Sequence, residues 1–215
     1  MKVLLMKNQQ PKPLSVLNLK SILMGFCFIL TASFLSGCGI RSIPMGKNAV
    51  DAALAEITNQ QKRRADLIPN LVSVVKGYTK HERETLDSVV SARSKATSIQ
   101  LSMDDLSPEK IQAYQKAQGE LSQALGRLLA ITENYPNLKA DTQFKDLQVQ
   151  LEGTENRIAV ARGRLIQALQ EFNNLVTVPP TSWTNSLVYH FSPMPQWSVP
   201  ESEKTKVEQT PEVKF

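Results

Sequence analysis

Histidine and cysteine are scarce in this sequence, two of each in 215 residues, and aromatic residues make up only 6%. That scarcity removes most catalytic and metal-binding designs. His81-Glu82 is followed by Arg83-Glu84-Thr85, so the second histidine of an H-E-x-x-H zinc motif is absent. His190 stands alone in the C-terminal segment, and there is neither a glycine-rich phosphate loop nor a serine in a G-x-S-x-G elbow. The expectation is a protein that is not an enzyme, with no cofactor, no metal and no small-molecule substrate. Acidic residues are absent from the first 37 positions, which carry Lys2, Lys7, Lys12 and Lys20. Without that segment 21 basic residues face 20 acidic ones, a net charge of +1, so the pI of 9.2 is mostly its property. Only Lys62-Arg63-Arg64 approaches a basic cluster. Nucleic acid is therefore not an expected partner.

Charge is also missing from "SILMGFCFILTASFLSGCGI", residues 21 to 40, between Lys20 and Arg41. A helix of roughly 17 to 25 apolar residues crosses a hydrocarbon core, so length alone permits a retained span or a cleaved signal. The order Leu35-Ser36-Gly37-Cys38, leucine then two small residues then cysteine, suits a signal peptidase cleft. It resembles the lipobox of bacterial lipoproteins, in which the cysteine is acylated and the signal is cut just before it. The basic stretch before an apolar run from Ile22 to Leu35 fits this reading, and Cys27 would be discarded. Cys38 is then the one cysteine of the mature chain, unable to form an internal disulfide, and the expected lipidation site. Gly39 stands where an aspartate would resemble an inner-membrane retention signal. Resemblance to sorted lipoproteins thus implies the periplasmic face of the outer membrane, the alternative being a single-pass inner-membrane protein. The expected organisation is a signal peptide over 1–37, a lipidated linker over 38–46 kept extended by Pro44, a helical bundle over 47–178, and an amphipathic segment with a proline-punctuated tail over 179–215.

Breakers are few in the bundle region. From Lys47 to Ser98 there is one proline, Pro69, and one glycine, Gly77. Apolar positions alternate by four and three through Val50, Leu54, Ile57, Ile68, Leu71, Val75, Tyr78, Val89 and Ala92, the 3.5-residue seam of a coiled coil or long bundle. This predicts one helix of about 52 residues, roughly 78 Å long, bent but not reversed at Pro69. A second helix starts at the Ser107 cap with Pro108 in its first turn and ends near Pro136. A third runs from the Asp141 cap to Thr177 across Gly153 and Gly163, glycines read as close helix contacts. The fold class is all-α: an elongated up-down bundle of three long helices, the first kinked at Pro69, with a short C-terminal amphipathic helix and an extended tail. In that helix Trp183, Leu187, Val188 and Phe191 suit either the bundle's end or a membrane interface.

Some charges have no local partner. Glu155, Arg157 and Arg162 lack an opposite charge three or four residues away, and Arg64 and Glu82 lie on the apolar seam. Such charges are costly to bury alone, so they pair between helices or reach water. Glu155 and Arg162 are expected to meet the first or second helix, with Arg64, Lys76, Glu82 and Glu133 as the candidate partners.

The blocks "QKRRADLIPNLVSVVKGYTKHE", 61 to 82, and "ENYPNLKADTQFKDLQVQLEGTENRIAVAR", 133 to 162, closely resemble the two signature blocks of the LemA family. The resemblance spans about 50 to 178 and reaches faintly to "PEVKF", 211 to 215. It implies a cell-envelope protein of long helices with an N-terminal membrane segment, and no settled biochemical activity. Carried over residue by residue, it singles out Arg63, Arg64, Asp66, Asn70, Lys76, His81, Glu82, Glu155, Asn156, Arg157 and Arg162, to which Glu133 is added, as interhelical contacts or a surface for an envelope protein partner. The chain departs from the family in lacking a Tyr-Asn pair within 45–48, in having Leu54 where tryptophan is common, and in having Arg164, Leu165 and Ile166 where aromatics and asparagine are common. The lipobox departs from members that keep a spanning anchor.

Overall fold

The computed structural model describes residues 19–79 and 81–197, and within these the side chains of 19–22, 27–38 and 104 lie outside the description. Residues 1–18 of the signal peptide expected over 1–37, the side chain of Cys38 and the tail over 198–215 are thus outside the described residues. Among the described residues every regular element is helical. The long ones are α1 (Leu19–Tyr78), α2 (Arg83–Ser98), α3 (Pro108–Thr132) and α5 (Thr142–Thr177). Shorter pieces are a 3₁₀ turn (Met103–Asp105), α4 (Pro136–Ala140) and α6 (Thr181–Thr184), which runs on into a π turn (Asn185–Tyr189). The all-α bundle expected from the seam is present, with four long helices where three were expected.

The extra helix comes from a reversal. The stretch expected as one helix from 47 to 98 stops at Tyr78, where Thr79 turns its hydroxyl and its N–H back onto the Val75 carbonyl, each at 3.0 Å. Glu82 is out of helical conformation at φ −94° and ψ 27°. α2 then folds back on α1, so that Arg93 Nε donates to the Ala65 carbonyl at 2.8 Å. Leu86, Val89, Ala92 and Ala96 bury against Ile68, Leu71 and Val75. The seam keeps its period across the reversal because both arms turn their apolar stripe into the same core. α1 meanwhile passes through Pro69, which is exposed, and through Pro44, with no reversal at either.

Cross-contacts fix the order. Residues 56, 64 and 78 of α1 meet 164, 155 and 141 on the α5 side, an antiparallel pair, and 61 and 64 meet 114 and 118 of α3, a parallel one. The bundle runs up, down, up, down. Caps set its corners as the sequence indicates: Ser107 Oγ accepts from Lys110 N at 3.2 Å and Asp141 Oδ1 from Phe144 N at 2.8 Å.

Two apolar clusters result. One lies toward the reversal and takes side chains from α1 to α5, with Leu71, Leu121, Leu128, Leu138 and Phe144 at its centre. The other, around Ile57, Leu165, Leu169 and Phe172, has no α2 beside it. The loop after α2 and the C-terminal segment close that side, through Leu101, Phe191, Met194 and Trp197. Two asparagines hold the segment: Asn173 exchanges hydrogen bonds with the Met194 backbone at 2.8 and 2.7 Å, and Asn185 with that of Phe191 at 2.9 and 3.0 Å.

The expected extended linker over 38–46 is instead helical and packed. Ile43 is fully buried, Tyr189 Oη donates to the Ile40 carbonyl at 2.7 Å, and Gly39 lies against Thr184. Helical backbone there lets Gly39 and Gly46 approach α6 and α5, and Pro44 is tolerated because the neighbouring side chains bury. Among the described residues the close-contact glycines are these two. A Cβ on Gly39 would lie 2.4 Å from Thr184 Oγ1 and one on Gly46 2.7 Å from Leu175 Cδ1, whereas one on Gly153 meets only the Arg157 side chain at 3.6 Å or beyond and one on Gly163 meets nothing within 4 Å. Gly153→Ala and Gly163→Ala should therefore each stabilise the fold by about 1 kcal/mol. Gly39→Ala should destabilise it, overpacking costing about 1–3 kcal/mol. Denaturant midpoints of the three variants check the contrast, and a stabilised Gly39→Ala would contradict the packing.

Candidate functional site

Between the two apolar clusters lies a polar layer. Each seam has a gap here: α1 offers Gln61 and Arg64, α3 offers Gln118 and Ser122, and α5 offers Thr154 and Glu155. Arg64 is 3% exposed. One guanidinium nitrogen donates to Glu155 Oε2 at 2.6 Å and Ser122 Oγ at 3.0 Å, the other to Gln118 Oε1 at 2.7 Å. The Gln118 amide in turn donates to the Ala96 carbonyl at 3.1 Å. One side chain of α1 is thereby tied to all three other long helices. Arg64 Nε has no hydrogen-bond partner among the described residues. One turn away Tyr114 donates to Gln61 Oε1. Burial pushes the Tyr114 phenol up to about 12, so it is a neutral donor at physiological pH. Its ring meets that of Trp197 edge-on at 6.2 Å.

A second set of contacts lies at the reversal. Tyr135 Oη donates to Glu82 Oε1 at 3.0 Å, and Tyr78 Oη to Asp141 Oδ2 at 2.8 Å. Lys139 pairs with Glu133 at 2.5 Å. The Phe144 backbone N–H, and after it the Tyr78 hydroxyl, holds the Asp141 carboxyl below the usual carboxylate range. The accepted bond raises Tyr78 above its ordinary value, as the Glu82 carboxylate does Tyr135.

The residues singled out from the sequence thus divide. Arg64, Glu82, Glu133 and Glu155 have partners, Arg64 and Glu155 being each other's. Arg162, expected to meet the first or second helix, is exposed and has no ion pair among the described residues, because its position on α5 turns away from α1 while Arg164 takes the contact with Glu56 at 2.6 Å. Arg63, Asp66, Asn70, Lys76, His81, Asn156 and Arg157 are also exposed. Arg63, Asp66 and Asn70, spaced by three and four, share one outward face of α1. Gln61, Gln118, Ser122 and Thr154 did not stand out in the sequence. The signal was present as the interruption of three seams at matching levels. Among the described residues no group of three or more His, Cys, Asp or Glu is placed to hold a metal ion, and no helix is long and apolar enough to cross a membrane.

The ion pair is lopsided, the Arg64 side chain being 4% exposed and that of Glu155 53%. Losing Glu155 strands a buried cation on neutral acceptors, whereas losing Arg64 leaves a carboxylate that water can solvate. Glu155→Gln should cost about 1–3 kcal/mol. In an Arg64→Met background the same change should be nearly neutral, giving a coupling of about 0.5–3 kcal/mol in a double-mutant cycle of urea midpoints. A coupling near zero would mean that the pair is merely adjacent. Asp141 gives a pH test. Its folded pKa is lowered, so its stabilisation is present above the ordinary carboxylate range and is lost as pH falls through the folded value. Asp141→Asn keeps a capping oxygen, and its unfolding midpoint should vary less than that of the natural chain as pH falls from neutrality into the acid range. Equal acid sensitivity in the two proteins would rule out this source.

Comparison with known proteins bears on the same two blocks. The profile described as the LemA family matches residues 53–215, which takes in Arg64, Glu82, Tyr135, Asp141 and Glu155. Protein LemA of Metamycoplasma hominis is 25% identical over 139 residues, covering 65% of this chain. The chain spans 58% of the length of that relative. With the profile matched over most of its length, the chain belongs to the LemA family.

Proposed function

We propose that this protein is a non-catalytic interaction module of the cell envelope, tethered to a membrane by lipid on Cys38, that receives a protein partner on the outward face of α1. What carries this reading is the division of the motif residues. Arg64, Glu82 and Glu155 are occupied in joining helices, while Arg63, Asp66 and Asn70 align on an exposed face and join none among the described residues. Side chains of both charges and an amide, one turn apart on a rigid helix, suit hydrogen-bonded recognition of a folded partner.

The tether rests on Leu35-Ser36-Gly37-Cys38. Two or three acyl chains, at about 0.8 kcal/mol per buried CH₂, hold a protein stably without a span. The location that follows is the periplasmic face of an outer membrane. The second reading, a retained single pass in the inner membrane, rests on the uncharged run from Ser21 to Ile40.

Both parts can be tested on the full chain in its native membrane. The processed protein should have the mass of an acylated chain beginning at Cys38, and Cys38→Ala should leave a precursor larger by residues 1–37. An intact N-terminus in the natural protein, with Cys38→Ala changing neither mass nor fractionation, would establish the retained span. A photo-crosslinker at position 66 should trap a discrete protein, and reversing charge with Arg63→Glu should abolish that adduct without shifting the thermal unfolding midpoint. An adduct indifferent to Arg63→Glu would remove this face from the proposal.

A further inference from the structure

The end of the bundle nearest Cys38 carries an apolar surface that its own fold leaves uncovered. α6 and the π turn sit across the start of the described part of α1. Thr184 packs on Gly39, Tyr189 binds the Ile40 carbonyl, and Asn185 is buried. Phe191 lies between Phe172 and Tyr189, its ring centroid 6.2 and 5.6 Å from theirs. These four side chains use up the packing positions of the segment. Trp183, Leu187 and Val188 are left 58%, 79% and 56% exposed, and Ile40, whose carbonyl Tyr189 binds, is 52% exposed. Trp183 and Leu187 are four residues apart and so share a helical face.

The two stretches of chain that carry this surface have charge of one sign. No carboxylate occurs in residues 1–50, nor between Glu171 and Glu201. Asp51 is eleven residues beyond Ile40, about 16 Å back along the helix axis. The cations present are Arg41, exposed next to Ile40, and Lys47, whose ammonium lies 5.0 Å from the centre of the Phe191 ring. An acid-free apolar surface with an indole and a free guanidinium matches the boundary between lipid headgroups and acyl chains, where tryptophan concentrates and arginine meets phosphate.

Position then selects the occupant. Ile40 is two residues from Cys38, about 3 Å along α1, and it ends the uncharged run that begins at Ser21. Acyl chains on Cys38 and a retained span both bring the bilayer surface to this level. We propose that Ile40, Trp183, Leu187 and Val188 form a bilayer-docking surface that seats this end of the bundle in the lipid interface, with Arg41 at the headgroup phosphates. The inference rests on the membrane attachment proposed above and adds a second, non-covalent contact to it.

The test uses the natively processed full chain carrying Trp197→Phe, which leaves Trp183 as the one tryptophan, reconstituted into protein-free vesicles of phosphatidylethanolamine and phosphatidylglycerol. Retention on the vesicles reads the attachment, and Trp183 emission reads the docking. Docking predicts a blue-shifted emission, loss of most quenching by aqueous iodide, and strong quenching by lipids brominated near the headgroup end of their chains. Leu187→Asn with Val188→Asn, at exposed positions that leave the thermal midpoint unchanged, should restore iodide access. If the protein is retained while iodide reaches Trp183 as freely as it reaches a small tryptophan amide, the docking is wrong and the attachment stands. Failure of retention removes both. Shielding that occurs in native membranes but not in protein-free vesicles assigns the surface to a protein and overturns the proposal.

Discussion

A guanidinium inside a helical bundle is an awkward thing to keep, and the arrangement around Arg64 shows how it is kept. Burying an ion away from water costs several kcal/mol unless acceptors replace the lost hydration. Here three acceptors do so, from two different helices, and the one that carries charge, the Glu155 carboxylate, reaches solvent. The requirement is geometric before it is energetic. Long helices with similar apolar stripes can slide by a heptad and still bury leucine against leucine, but Arg64 finds Gln118, Ser122 and Glu155 at one register only. Polar residues at single core positions are known to specify register in this way. The layer therefore sets the relative heights of α1, α3 and α5, and through Gln118 and the Ala96 carbonyl that of α2 as well.

With heights fixed, the two ends of the bundle are closed by different means. Toward the reversal, four helices and α4 complete a core, and tyrosine-to-carboxylate bonds brace the corners. Toward the Cys38 end α2 has already finished, and irregular chain fills its place. Such chain has no ladder of its own, so its backbone groups need partners from elsewhere. Asn173 and Asn185 provide them, each with a donor and an acceptor aimed at the peptide it holds. Trp197 then seals the side of Tyr114, which links this segment back to the polar layer.

Much of this was legible in the sequence, for identifiable reasons. The periods of α3 and α5, the Ser107 and Asp141 caps and the need of Glu155 for a partner on another helix, with Arg64 one of four candidates, all follow from local spacing and from charges with no neighbour. The reversal at 79–82 was not legible, because it is made without proline or glycine at its apex and leaves the apolar period intact on both sides. The polar layer was half legible. Arg64 stands out as a charge on a seam, but Gln118, Ser122 and Thr154 are ordinary on helices, and only their common level in the folded bundle marks them. The helical course of 39–46 escaped notice because a proline flanked by glycines reads as a linker, and burial against α5 and α6 outweighs that propensity. On the outward face of α1 the sequence supplies the residues and the fold supplies their alignment.

The absence of a joint between position 38 and the bundle has a consequence for reach. Eight residues of extended chain would let a tethered domain wander by up to about 27 Å and turn freely. A helix packed from Gly39 onward allows neither. Under the membrane attachment proposed at Cys38, α1 would be a ruler: each residue beyond Ile40 would stand about 1.5 Å further from the bilayer along the helix axis. Arg63 to Asn70 then fall roughly 35 to 45 Å out and the reversal at Tyr78 about 57 Å out, if the axis stands upright, and less by the cosine of any tilt. Such a protein would address partners by altitude as well as by chemistry, and inserting or deleting one heptad of α1 below Arg63 would move that address by about 10 Å.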